Sequence, residues 1–192
     1  ANEANTTKLK AFIWKLKMDA NVNNELKLTT LSEMKFDATG KLVSTPLDAK
    51  TTVKAKPGLR GRAQQNAAEE SLDYIDKAAA LMLQYAYMSK GQLVDFFDKA
   101  TVTKIAGDTL QAVATNVYQP GDQLTLLIDP VTHLFIRKTF TAKSGADPIN
   151  GTVDYATFAS NGINHVDRSW LMMPAKTMQV KTENIEYTQR VQ

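Results

Sequence analysis

The segment AAALMLQYAYM, Ala78 to Met88, most limits what this chain can fold into. It ends a run from Ala63 to Met88 that holds neither proline nor glycine and reads as one helix. At about 100° per residue, Leu72, Ile75, Ala79, Met82 and Ala86 fall on one stripe. Tyr74, Ala78, Leu81, Tyr85 and Met88 fall on an adjoining one, leaving only Asp73, Lys77 and Gln84 as a polar strip. A surface helix needs an apolar stripe of roughly 100°, and this one is far wider. The helix must therefore be covered on two sides. It would be roughly 37 Å long, more than one short strand can cover. A strongly curved sheet wrapped around it would supply the cover. A shorter helix, Gln92 to Ala100 after a break at Gly91, adds Leu93, Phe96, Phe97 and Ala100 as a second apolar face.

The flanks have strand character. In AFIWKLKMDA, Phe12, Trp14, Leu16 and Met18 share one parity and Lys15 and Lys17 the other. ELKLTTLSEMKF repeats this, with Leu26, Leu28, Met34 and Phe36 on one side. DATG is a hairpin turn, and Pro46 limits the next strand, KLVSTPL, to an edge or an end. Residues 48–62 read as a basic linker. After the helices come a hairpin from TVTKIA to TLQAVATNVY, the pair QLTLLID and LFIRKTFTA, and a loop KSGADPING. TVDYATFA, the turn SNGIN, a strand around RSWLMM, and KTMQVKTENIEY complete the chain. In the last segment Met178 and Val180 are even while Ile185 and Tyr187 are odd, which predicts a bulge near residues 182–184. Strands on both sides of a central helix pair predict the α+β class. The expected architecture is a strongly curved antiparallel sheet, a half-barrel, with two mid-chain helices on its concave face, all in a single domain, 1–192.

A length of 192 residues allows a real core without disulfides, and the chain has no cysteine. That excludes thiolate catalysis and thiolate metal sites. A net charge of +3 gives no case for nucleic acid. The start, ANEANTTK, is small and polar and reads as the product of signal-peptide cleavage. No apolar run reaches the length of a membrane span. A periplasmic or secreted soluble protein is expected.

Two stretches then carry a resemblance. LTLLIDPVTHLFIRKTF pairs two strands through an Asp-Pro-x-Thr turn, the second with an outward Arg137–Lys138 pair; SWLMMPAKTMQVKTENIEY sets a proline before a last basic strand. With the element order, these resemble the periplasmic outer-membrane lipoprotein carriers, and also secreted bacterial proteins of unassigned function. The resemblance implies a half-barrel with helices across its open side. Two features depart from that pattern. The carriers begin with a helix, whereas strand pattern here starts by Ala11. The carriers also hold a lid closed with a sheet-borne arginine, whereas Arg60 and Arg62 lie in the linker and Arg137 is next to Lys138.

No catalytic motif stands in the sequence. His133 and His165 each sit at a turn without His or Cys partners at metal-ligand spacing, and no Gly-x-Ser-x-Gly or phosphate loop occurs. Asp154 is either a cavity-facing acid or a solvated strand residue, depending on which parity of TVDYATF points inward. No enzyme activity, metal or cofactor is expected. The expected function is to shelter an apolar ligand, a lipid or acyl chain, between sheet and helices. The cavity-lining candidates are Trp14, Leu16, Met18, Leu72, Ile75, Met82, Tyr85, Phe96, Phe97, Trp170 and Met172. The alternative is an envelope module for protein interaction or sensing, with a filled core and no ligand.

Overall fold

The computed structural model describes residues 2–51, 59–158 and 162–190. A short helix α1 (Asn2–Leu9) leads into β1 (Phe12–Val22), β2 (Glu25–Phe36) and β3 (Leu42–Thr51). The helices α2 (Leu59–Ala86) and α3 (Lys90–Lys99) follow. Seven strands complete the chain: β4 (Thr101–Lys104), β5 (Leu110–Thr115), β6 (Gln123–Ile128), β7 (Phe135–Ser144), β8 (Asp147–Thr157), β9 (Asn164–Met173) and β10 (Met178–Gln189). All ten pair antiparallel in one open sheet, in the order β3-β2-β1-β10-β9-β8-β7-β6-β5-β4. The chain ends in the middle of the sheet it began, because β10 inserts between β1 and β9.

Pleating divides the sheet into a helix-facing side and an open side. Trp14, Met18 and Ala20 of β1 face the helices, as do Leu28 and Met34 of β2, and their lysine neighbours face away. The same split runs through β6 and β7, where Leu124, Leu126, Phe140 and Ala142 are buried. Along α2, Ile75, Ala78, Met82, Tyr85 and Ala86 are buried, with Tyr74, Ala79 and Leu81 packed at their margin. The helix lies over β7, β8 and β9, and α3 lies over β5.

Several boundaries depart from the sequence reading. A helix, α1, does precede the first strand. Its composition, NEANTTKL, carries no apolar stripe, so no periodicity announced it. It is held by tertiary contacts: Leu9 is buried, and Asn5 exchanges two hydrogen bonds of 2.6 Å with the backbone of Asn164. The expected linker 48–62 begins as strand, since β3 runs to Thr51, and ends as helix from Leu59; residues 52–58 lie outside the described residues. The break between the long helices falls at Tyr87 to Ser89 rather than at Gly91. Ser89 caps α3 and Gln92 closes a reciprocal capping box, which starts the helix before the glycine. KSGADPING is a tight hairpin in which β7 and β8 pair out to Ser144 and Asp147. Leu26 is 45% exposed instead of sharing the face of Leu28, because the β1–β2 register shifts between Ala20 and Asn21.

The bulge in β10 exists, but two residues later than expected. Asn184 pairs with Leu16 and Ile185 with Lys15, after which the register skips to Thr188 opposite Ile13. Glu186 takes up the extra residue in the left-handed region, at φ 54°. Even residues through Asn184 therefore face the helices, and beyond the bulge Tyr187 does. Ile185 pairs with Lys15 on the open side, so it is not part of the inward set.

Candidate functional site

The helix–sheet interface brings together Met18, Ile75, Met82, Tyr85 and Phe96 of the expected cavity lining in one buried cluster. Five of the chain's seven methionines lie in it: Met18, Met82, Met88, Met173 and Met178. Trp14 belongs to a neighbouring cluster with Leu9, Met34, Phe36 and Ile163, and half-buried Leu16 packs against that one. Phe97 makes an edge contact with Phe96 but is 40% exposed. The side chain of Leu72 lies outside the described residues. Trp170 and Met172 stand on the opposite side of the sheet. Leu171 and Met173 take the inward positions on β9, so Trp170 and Met172 between them point away.

Three side chains pin the last turn of α2 to the sheet and to the β5–β6 loop. Lys138, on β7 and 1% exposed, donates to the carbonyl oxygens of Tyr85 (3.2 Å) and Ala86 (3.0 Å). Its ammonium also lies 4.5 Å from the centre of the Phe135 ring and 5.5 Å from that of Tyr155. Burial lowers its pKa to about 7. The unpaired carbonyls of a helix C-terminus are where a cation is best placed to offset that cost. Tyr155 Oη, on β8, donates to the same Ala86 carbonyl at 2.7 Å, and desolvation holds its phenol well above the usual range. The third pin is Tyr85 Oη, which donates to Asp122 at 2.6 Å. Desolvation and the adjacent carboxylate raise its pKa.

Asp122 is buried in the β5–β6 loop and also accepts from the backbone N–H groups of Val117 (2.6 Å), Tyr118 (2.9 Å) and Gln119 (3.2 Å). Its carboxylate thus organises the loop and anchors the helix at once. Phe140 stacks on Tyr85 at 4.0 Å with an interplanar angle of 7°. It can do so because Gly151 lies beneath it: a Cβ there would meet the Phe140 ring at 2.1 Å.

Sequence reasoning missed these pins, and the expected outward Arg137–Lys138 pair holds for Arg137 alone, because Lys138 is buried beneath the end of α2. The inward set of β7 includes Lys138 by parity with Phe140 and Ala142, and that parity was the available signal. Asp154 resolves as the solvated alternative: Val153 and Tyr155 face in, and Asp154 binds Arg137 through two contacts of 2.5 and 3.0 Å on the open side. His133 is exposed in the Asp129 turn, where Asp129 accepts from Val131, Thr132 and the Thr132 hydroxyl. His165 is buried instead, stacked on Phe158 at 4.1 Å, and burial lowers its pKa. Among the described residues no group of His, Cys, Asp and Glu could hold a metal ion, and no helix is long and apolar enough to cross a membrane.

No family model matches the chain, and no curated protein matches it. Three solved structures show an overall likeness. A DUF1329 family protein from Desulfovibrio piger is 10% identical, with a TM-score of 0.44, and the match covers 98% of this chain and 91% of that one. A domain named for outer membrane lipoprotein sorting, from Vibrio parahaemolyticus, is 10% identical at a TM-score of 0.45, over 98% and 89% of the two chains. A LolA superfamily protein from Nitrosomonas europaea is 9% identical at 0.38, over 99% and 94%. All three scores are low, so the function has to be sought in the residues.

Proposed function

We propose that this is an exported, non-enzymatic binding protein that shelters an apolar chain, a lipid or acyl group, between its sheet and α2. The observation that supports it best is the gathering of five methionines at the helix–sheet interface. Unbranched thioether side chains can repack around an apolar guest where branched ones cannot. The interface is closed in this structure, with Ile75, Ala78 and Tyr85 at 0–1% exposure. The site is therefore one that opens when α2 lifts, a minor state that a ligand would make dominant. Each CH₂ buried contributes about 0.8 kcal/mol, so a long chain can offset the contacts α2 gives up. In this reading Met18, Ile75, Met82, Tyr85 and Phe96 line the site, with Leu16 and Phe97 at its margin. A curl of the sheet around α2 and a single folding unit belong to the same proposal.

The tight closure equally favours the second reading, an envelope interaction or sensing module whose core is simply full. Native mass spectrometry of the protein purified from its own host separates the two. The binding reading predicts an apolar species of constant mass that denaturation releases. Ligand-free protein bound to a stable protein partner would favour the second.

A further inference from the structure

The open side of the sheet holds two adjoining hollows that share Arg168. One, about 200 Å³, is lined by Lys17, Asp19, Arg168, Trp170, Lys181, Thr182 and Glu183. The other, about 550 Å³, extends across Arg137, Asp154 and Leu127. Strand register sets the charges in a row. Arg137, Asp154, Arg168, Glu183 and Lys17 stand opposite one another across β7, β8, β9, β10 and β1, alternating in sign. In the next row Trp170 lies between Thr152 and Lys181, and Asp19 follows.

Most charges on this side are matched internally: Lys15 with Glu186, Lys17 with Asp19 (3.3 Å), Lys35 with Glu33 (3.6 Å), and Arg137 with Asp154. The smaller hollow differs. Among the described residues, Lys181 and Glu183 form no ion pair and the indole N–H of half-buried Trp170 has no hydrogen-bond acceptor. An aromatic ring is thus set beside one unpaired cation and one unpaired anion, Lys181 and Glu183, with the Lys17–Asp19 (3.3 Å) and Arg168–Asp167 (3.2 Å) pairs around them. An anionic ligand would meet Asp19 and Glu183, a cationic one Lys17, Arg168 and Lys181. A wholly apolar one would strip water from all five charges for no return. A pyranose ring matches the arrangement, since it offers an apolar C–H face to the indole and hydroxyls that both donate and accept around its edge.

We propose that the Trp170 hollow binds a neutral oligosaccharide, with one sugar ring on the indole and the chain continuing past Arg168. The test is calorimetric titration of the full chain with cellotetraose, maltotetraose and chitotetraose, and with an acidic heparin tetrasaccharide. At least one neutral probe should bind saturably. Trp170→Ala should weaken that binding by about tenfold or more, the contribution of one stacked aromatic. Glu183→Gln and Lys181→Ala, exposed and unpaired, should weaken it less and leave the fold intact. Met172→Ala, outside the hollow, should not change it. Failure of all neutral probes to bind would overturn the proposal, as would binding of the acidic probe alone or neutral binding indifferent to Trp170→Ala, Glu183→Gln and Lys181→Ala together.

Discussion

Lys138 is the residue at which burial and charge conflict most directly. Its pKa is lowered to about 7 by desolvation, while the unfolded chain's lysine titrates near 10.4. Between these values the unfolded state binds more protons than the folded one, so stability should rise with pH there. We expect unfolding free energy to climb between pH 7 and 9 by up to about 1 kcal/mol per pH unit. Lys138→Met should lose that slope in urea titrations, whereas equal slopes in the two proteins would remove Lys138 as the cause. A second residue-scale expectation concerns Gly151. Gly151→Ala should cost about 1–3 kcal/mol, because the new methyl displaces the Phe140 ring from Tyr85. Thermal denaturation measures this, and an unchanged midpoint would show that the ring moves freely.

At the scale of elements, β10 joins local sequence to the architecture of the sheet. The conflict between even Met178 and Val180 and odd Ile185 and Tyr187 was legible and demanded a bulge. Its position was not, because parity cannot say which odd residue is the first to face inward. The structure assigns that place to Tyr187, whose hydroxyl donates to Val166 O (2.9 Å) and whose ring stacks on Trp14 at 5.4 Å. Val180→Asp, at a fully buried position, should therefore cost about 3 kcal/mol or more, and Ile185→Asp less than about 1 kcal/mol. Comparable losses in chemical denaturation would place Ile185 inside after all. The same logic explains which elements could be read. Strands β1 and β2 announce themselves by alternation, and α2 by its apolar width. The helix α1 depends on Asn5 meeting Asn164, a contact 159 residues away in sequence that no local pattern encodes. Likewise Trp170 and Met172 sit next to buried Leu171 and Met173 in one apolar run, where alternation gives no hint of which pair faces in.

Across the whole molecule the two faces of one sheet have different characters. One is apolar, rich in methionine and closed by α2; the other is a field of paired charges with a few unpaired groups around Trp170. In the proposed function α2 lifts from the sheet to admit an apolar chain. The absence of cysteine allows a direct test, because two introduced thiols would be the only ones in the chain. Met82 Sδ on α2 lies 3.0 Å from Ser169 Oγ on β9, so Met82→Cys and Ser169→Cys stand at facing positions that a short bis-methanethiosulfonate can join as a reducible clasp between helix and sheet. The decisive measurement is the fluorescence of cis-parinaric acid titrated into this variant, cross-linked and then reduced. Saturable binding when reduced and its loss when cross-linked is the predicted result. Equal binding in both states, or none in either, would contradict it.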